Sequence, residues 1–87
     1  MDTQAVQAQV VQEILERYTD RKWAREYMGL SRAKLAEILN VCEATIRRWE
    51  DGSRRPTGTP ALEYAEFLNL AYGLRAEEIE EEEEDDG

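Results

Sequence analysis

Arg47 and Arg48 stand side by side in the stretch EATIRRWEDGSRRP, just after Glu43 and Ala44 and shortly before Arg54 and Arg55. A guanidinium carries a rigid fork of donors that can bond the O6 and N7 atoms of guanine together. A carboxylate such as Glu43 can accept from the cytosine amino group, and the methyl of Ala44 suits thymine. Glu43, Ala44, Arg47 and Arg48 are therefore candidates for reading base edges, with a preference for a G/C-containing site. A plainer explanation competes: either arginine can rest on phosphate, or pair with Glu43 or Asp51 one turn away. The expectation is base contact by at least one of the two arginines.

Such residues need a scaffold, and the surrounding pattern supplies one. In LAEILNVCEATIRRWEDG, the residues Leu35, Leu39, Val41, Ile46 and Trp49 fall where two short helices around a three-residue turn would bury them. Ser31 offers an N-cap for a helix over 32–39, with Leu35, Ala36, Ile38 and Leu39 facing inward. Asn40, Val41 and Cys42 make the turn, Asn40 being among the few non-glycine residues that tolerate the left-handed conformation. The second helix spans about 43–51 and stops at Gly52.

Upstream, Val6, Val10, Val11, Ile14, Leu15 and Tyr18 recur at three- and four-residue spacing, the mark of an amphipathic helix over 5–18. Thr19 and Asp20 can cap a further helix over 21–28, closed by Gly29, although the two could equally run on as one bent helix. Downstream, SRRPTGTP reads as a loop. Thr59 and Pro60 start a last helix, over 60–72, which carries Leu62, Ala65, Leu68 and Tyr72 inward and ends at Gly73. Trp23, Tyr27, Trp49 and Phe67 read as core.

The segment Arg25–Gly52 resembles the helix-turn-helix of the phage repressor and Cro-like (XRE-type) family of DNA-binding proteins. The likeness continues more weakly to the helix ending near Tyr72. Two positions depart from the family pattern: Asn40 stands where glycine is usual, and Cys42 where serine or threonine usually caps the recognition helix. A thiol is the poorer acceptor, at a cost of about 1 kcal/mol relative to serine. The resemblance implies that the second motif helix enters the major groove with its N-terminal residues on base edges. It implies phosphate positioning by Ser31 and Arg32, by Thr45, and by Arg54 and Arg55 in the following loop. It also implies a structural ion pair between Arg25 and Glu50.

A net charge of −9 stands against nucleic-acid binding until it is divided along the chain. Nine of the twenty acids fall between Glu77 and Asp86, so the remainder is neutral. Between Arg17 and Arg55 ten basic residues face six acidic ones, a local excess of positive charge. The acidic run is expected to be disordered, and either idle or a competitor with phosphate for the arginines.

Other chemistries have little to build on. Histidine is absent and Cys42 is the only cysteine, which excludes an intrachain disulfide and a Cys/His metal site. Cys42 reads as structural rather than redox-active. There is no Gly-rich phosphate loop, and the carboxylates concentrate in the tail, so neither an enzyme nor a cofactor is expected. No apolar run is long enough to span a membrane, and a cytoplasmic, nucleoid-associated location is the expectation.

The expected architecture is all-α: a compact four- to five-helix helix-turn-helix domain with a disordered acidic C-terminal tail. Residues 1–19 form an N-terminal amphipathic helix, dimerising or packed on the core. Residues 20–76 form the helix-turn-helix domain and 77–87 the tail. The expected function is that of a sequence-specific transcriptional regulator, a small phage or prokaryotic Cro-like repressor bound to a double-stranded operator as a homodimer. The dimer surface is either the Val6, Val10, Ile14 stripe or the last helix with Phe67, Leu70 and Leu74. The alternative is an antitoxin-type interaction module that neutralises a partner protein and regulates its own promoter. A toxin or a polymerase is the protein partner to consider.

Overall fold

The computed structural model describes the backbone of residues 3–84 and the side chains of residues 5–80. Among these, five helices follow in order: α1 (Thr3–Arg17), α2 (Arg21–Tyr27), α3 (Arg32–Leu39), α4 (Glu43–Asp51) and α5 (Gly58–Glu84). The architecture is all-α, as expected, and residues 18–20 separate α1 from α2.

Local chemistry sets each boundary. Asp20 accepts from the Trp23 N–H at 3.3 Å and opens α2, and Ser31 accepts from the Lys34 N–H at 3.0 Å and opens α3. Gly29, at φ 73°, turns the chain so that its own N–H and that of Leu30 return to the carbonyls of Glu26 and Arg25. Asn40, at φ 56°, repeats that closure for α3, its N–H and that of Val41 returning to Glu37 and Ala36. Cys42 holds the N-cap position of α4 without a side-chain cap bond. Its sulfur instead lies 3.0 Å from the Thr45 hydroxyl, which pushes the thiol below its ordinary pKa. Cys42→Ser restores a capping oxygen and should stabilise the domain by about 1 kcal/mol. The check is thermal unfolding, where a rise in Tm of roughly 4–8 °C is expected.

Helix α5 is the spine of the core. Its buried Ala61, Tyr64, Ala65, Leu68 and Ala71 make a face of mostly small residues that lets the other helices approach closely. Val11 and Leu15 of α1, Ala24 of α2, Leu35 and Leu39 of α3 and Trp49 of α4 close over it. Trp49 and Tyr64 meet with ring centroids 4.8 Å apart. A second aromatic group, Tyr18 stacked on Tyr72 at 4.3 Å and Tyr72 against Trp23 at 4.9 Å, seals the junction of α1, α2 and α5.

Arg21 adds a polar tie. It donates from Nη2 to the Leu15 carbonyl at 2.8 Å, from Nε to Tyr18 at 3.2 Å and from Nη1 to Trp49 at 3.1 Å. One guanidinium thus satisfies carbonyls at the ends of α1 and α4, where a cation is also favoured by the helix dipole.

Several expected positions are corrected. Ile38 does not face inward: it is 55% exposed. At about 100° per residue, Leu35, Ala36 and Leu39 already fill the inner arc of α3, and Ile38 lies about 60° outside its edge. Val6 and Val10 are each 47% exposed, so the seam of α1 is carried by Val11 and Leu15. The last helix opens at Gly58 (φ 71°), ahead of the expected Pro60, and does not end at Gly73. A single helical glycine costs only about 1 kcal/mol relative to alanine, and the glutamate-rich sequence that follows favours helix. Arg75 and Glu78 pair at 3.5 Å across one turn of this extension. The backbone stays helical to Glu84. Residues 85–87 of the expected disordered tail lie outside the described residues.

Tyr64 is the largest fully buried side chain, and its hydroxyl has no hydrogen-bond partner among the described residues. Burial pushes its ionisation far above the ordinary range. Removing that oxygen with Tyr64→Phe should raise stability by about 1 kcal/mol in denaturant unfolding, because the desolvation cost of an unpaired buried polar group outweighs the one-atom void left behind.

Candidate nucleic-acid interface

The α4 helix offers two very different sides. Ile46 and Trp49 are buried, whereas Glu43, Ala44, Arg47 and Arg48 are all exposed together on the opposite surface. Among the described residues no carboxylate lies within ion-pair distance of Arg47 or Arg48, nor of Arg54 and Arg55 in the loop beyond. An intrahelical pair from either arginine to Glu43 or Asp51 is not present. Asp51 instead accepts from the Ser53 N–H at 2.8 Å; the Ser53 hydroxyl, and after it this N–H, lowers its pKa, with Arg47 and Arg48 adding to the effect through space. That bond shapes the turn after Gly52 (φ 80°), from which the Arg54 N–H reaches back to the Arg48 carbonyl at 3.3 Å. The four arginines thus keep their forks free on one continuous stretch of α4 and its exit loop.

The approach to this surface is fixed by one carboxylate. Arg25 donates from Nε to Glu50 Oε2 at 2.6 Å and from Nη2 to Oε1 at 3.3 Å. Its Nη1 donates to the Leu30 carbonyl at 2.8 Å. The two side chains are only 9% and 4% exposed, and the bond to Glu50 holds the Arg25 pKa above its ordinary value against the opposing effect of burial. Arg32 joins the same carboxylate from the start of α3, Nε to Oε1 at 3.2 Å. Sequence reasoning placed Arg32 with phosphate and not with Glu50, because a third partner at a separation of 18 residues leaves no local signal. The arrangement ties α2, α3 and α4 through Glu50, and Arg32, half-buried, keeps its terminal nitrogens for another acceptor.

Ser31 lies beside Arg32. Its oxygen accepts the capping bond from Lys34, which leaves the hydroxyl proton to donate. Thr45 is partly buried and turned toward Cys42. The structure therefore brings Ser31 and Arg32 together at the head of α3, and Glu43, Ala44, Arg47 and Arg48 together on α4, with Arg54 and Arg55 following. Arg21, which anchors the far end of α4, was not foreseen, since backbone carbonyls leave no mark in a sequence.

No group of His, Cys, Asp or Glu residues suited to a metal ion occurs among the described residues, and no described helix is long and apolar enough to cross a membrane. No curated protein and no solved structure matches the chain. The helix-turn-helix family matches residues 22–74, from α2 to the middle of α5 and across the whole surface just described. With a supported α2–α4 scaffold and that match over more than half its length, the chain belongs to the XRE-type helix-turn-helix family of DNA-binding transcription regulators.

Proposed function

We propose that the protein is a sequence-specific repressor of the phage or prokaryotic Cro-like kind that occupies a double-stranded operator as a homodimer. The observation that carries this reading is the set of unpaired, exposed arginines on α4 and its exit loop, beside a rigidly braced helix head at Ser31 and Arg32. Arg47 and Arg48 lie in the major groove and read guanine, with Glu43 and Ala44 meeting neighbouring bases. Ser31, Arg32, Thr45, Arg54 and Arg55 hold the phosphates on either side. The net positive charge of this region supplies the salt-dependent attraction that the whole-chain charge conceals.

The homodimer forms through α1, where Val6 and Val10 are half exposed beside the cleft formed by Gln7, Ala8, Gly58 and Leu62. Gln7 and Gln9 flank those valines, and among the described residues Glu13 is the one acid within a turn of them. The test is selection of bound sequences from random DNA by the full chain. A dyad-symmetric G/C-containing site is expected, its half-sites about 34 Å, one helical turn, apart or a multiple of this. A single unrepeated half-site would overturn the dimer, and absence of any enriched sequence would overturn the specific repressor.

A further inference from the structure

Helices α3 and α5 leave an apolar groove of about 440 Å³ between them, floored by Leu35 and walled by Ile38, Phe67 and Leu70. Ile38 and Leu70 are the most exposed large apolar side chains among the described residues, at 55% and 54%. Leu74 continues the apolar line one turn further along α5 at 38%. Isolated exposed leucines are ordinary on a protein surface, but a contiguous stripe lining a groove marks a contact site.

Charge identifies the occupant. Glu63 and Glu66 line the groove, and no lysine or arginine does. The nearest cations in sequence are engaged, Lys34 with Glu37 at 3.7 Å and Arg75 with Glu78 at 3.5 Å. A second copy fits poorly, because two-fold pairing on this face would bring α5 against the same acidic surface. Among the described residues that helix exposes Glu63, Glu66, Glu77, Glu78 and Glu80 against the single cation Arg75. We propose that the groove docks a helical segment of a different protein, apolar along one stripe and flanked by lysine or arginine. Apolar side chains at one-turn spacing enter between Ile38 and Leu70, and the flanking cations meet Glu63 and Glu66. The groove shares no residue with the arginine face of α4, so docking and DNA binding are compatible on one molecule.

The test is selection from a displayed library of randomised helix-forming peptides against the full chain. Enriched peptides should combine apolar residues at i, i+3 or i+4, and i+7 with lysine or arginine beside them. Their affinity should fall at least about tenfold for Ile38→Gln/Leu70→Gln, and about threefold for Glu63→Gln/Glu66→Gln. Both double substitutions are at solvent-facing positions and keep helix propensity, so Tm and DNA binding serve as controls that should not move. Failure to enrich any common peptide overturns the proposal. So does affinity that survives Ile38→Gln/Leu70→Gln, which would mean capture by the acidic residues 77–86. Loss of a dimer by that variant in sedimentation also overturns it and assigns the face to a second copy. DNA binding is read separately throughout, so failure here leaves the repressor function intact.

Discussion

Replacing Glu50 with alanine should destabilise the domain by about 3 kcal/mol, the cost typical of leaving a buried charge without its partner. Arg25 would lose two of its three bonds while remaining 9% exposed in its side chain. Arg32 would lose its one side-chain bond among the described residues but is open enough to be solvated. The reverse substitution, Arg25→Ala, should cost less at the carboxylate, since Arg32 still pairs with Glu50, although the Leu30 carbonyl loses its donor. Denaturant unfolding of both variants checks this order. Arg25→Met/Glu50→Leu should recover most of the loss, because replacing a buried pair with apolar groups of similar volume is often neutral. If Glu50→Ala proves as stable as the parent chain, the carboxylate is not the brace that the geometry makes it.

Arg48→Ala carries the second large effect, on recognition and not on folding. Arg48 is exposed and unpaired, so truncation should leave the unfolding free energy unchanged within about 0.5 kcal/mol. If its fork lies on a guanine, loss of the bidentate contact should remove about 1–3 kcal/mol of discrimination at one position of the site. Selection of bound sequences from random DNA, parent against variant, should then show one base of the preferred site relaxed while the others persist. Uniform weakening with a smaller dependence on salt would instead assign Arg48 to phosphate.

Much of this was legible in the residues. The caps Asp20 and Ser31, the left-handed Asn40, the closing glycines and the face carrying Glu43, Ala44, Arg47 and Arg48 are local features, and local chemistry decides them. The positions that escaped were those settled by tertiary arrangement. The pattern of α3 points Ile38 inward because a short apolar helix offers more hydrophobic residues than its neighbours can cover. Gly73 reads as a stop, yet a glycine ends a helix only where the following chain turns away, and here it does not. Tyr64 could not be placed from spacing alone, and the structure sets it at the centre. Arg21 and the Arg32–Glu50 bond join residues 28 and 18 positions apart, where no periodicity operates.

Arg21 has a further consequence, one for folding cooperativity. The family match begins at residue 22, leaving α1 outside it, yet the Arg21 guanidinium holds the closing carbonyls of α1 and α4 together. The evolutionary unit and the unfolding unit therefore differ in extent. Fraying of α1 past Leu15 strips Arg21 of one of its bonds and lifts Val11 and Leu15 from the core face of α5. Backbone amides over 11–15 should accordingly exchange with solvent on the timescale of the whole domain, and a chain beginning at Asp20 would keep the Arg21 bond to Trp49 but leave bare the α5 face that Val11 and Leu15 cover.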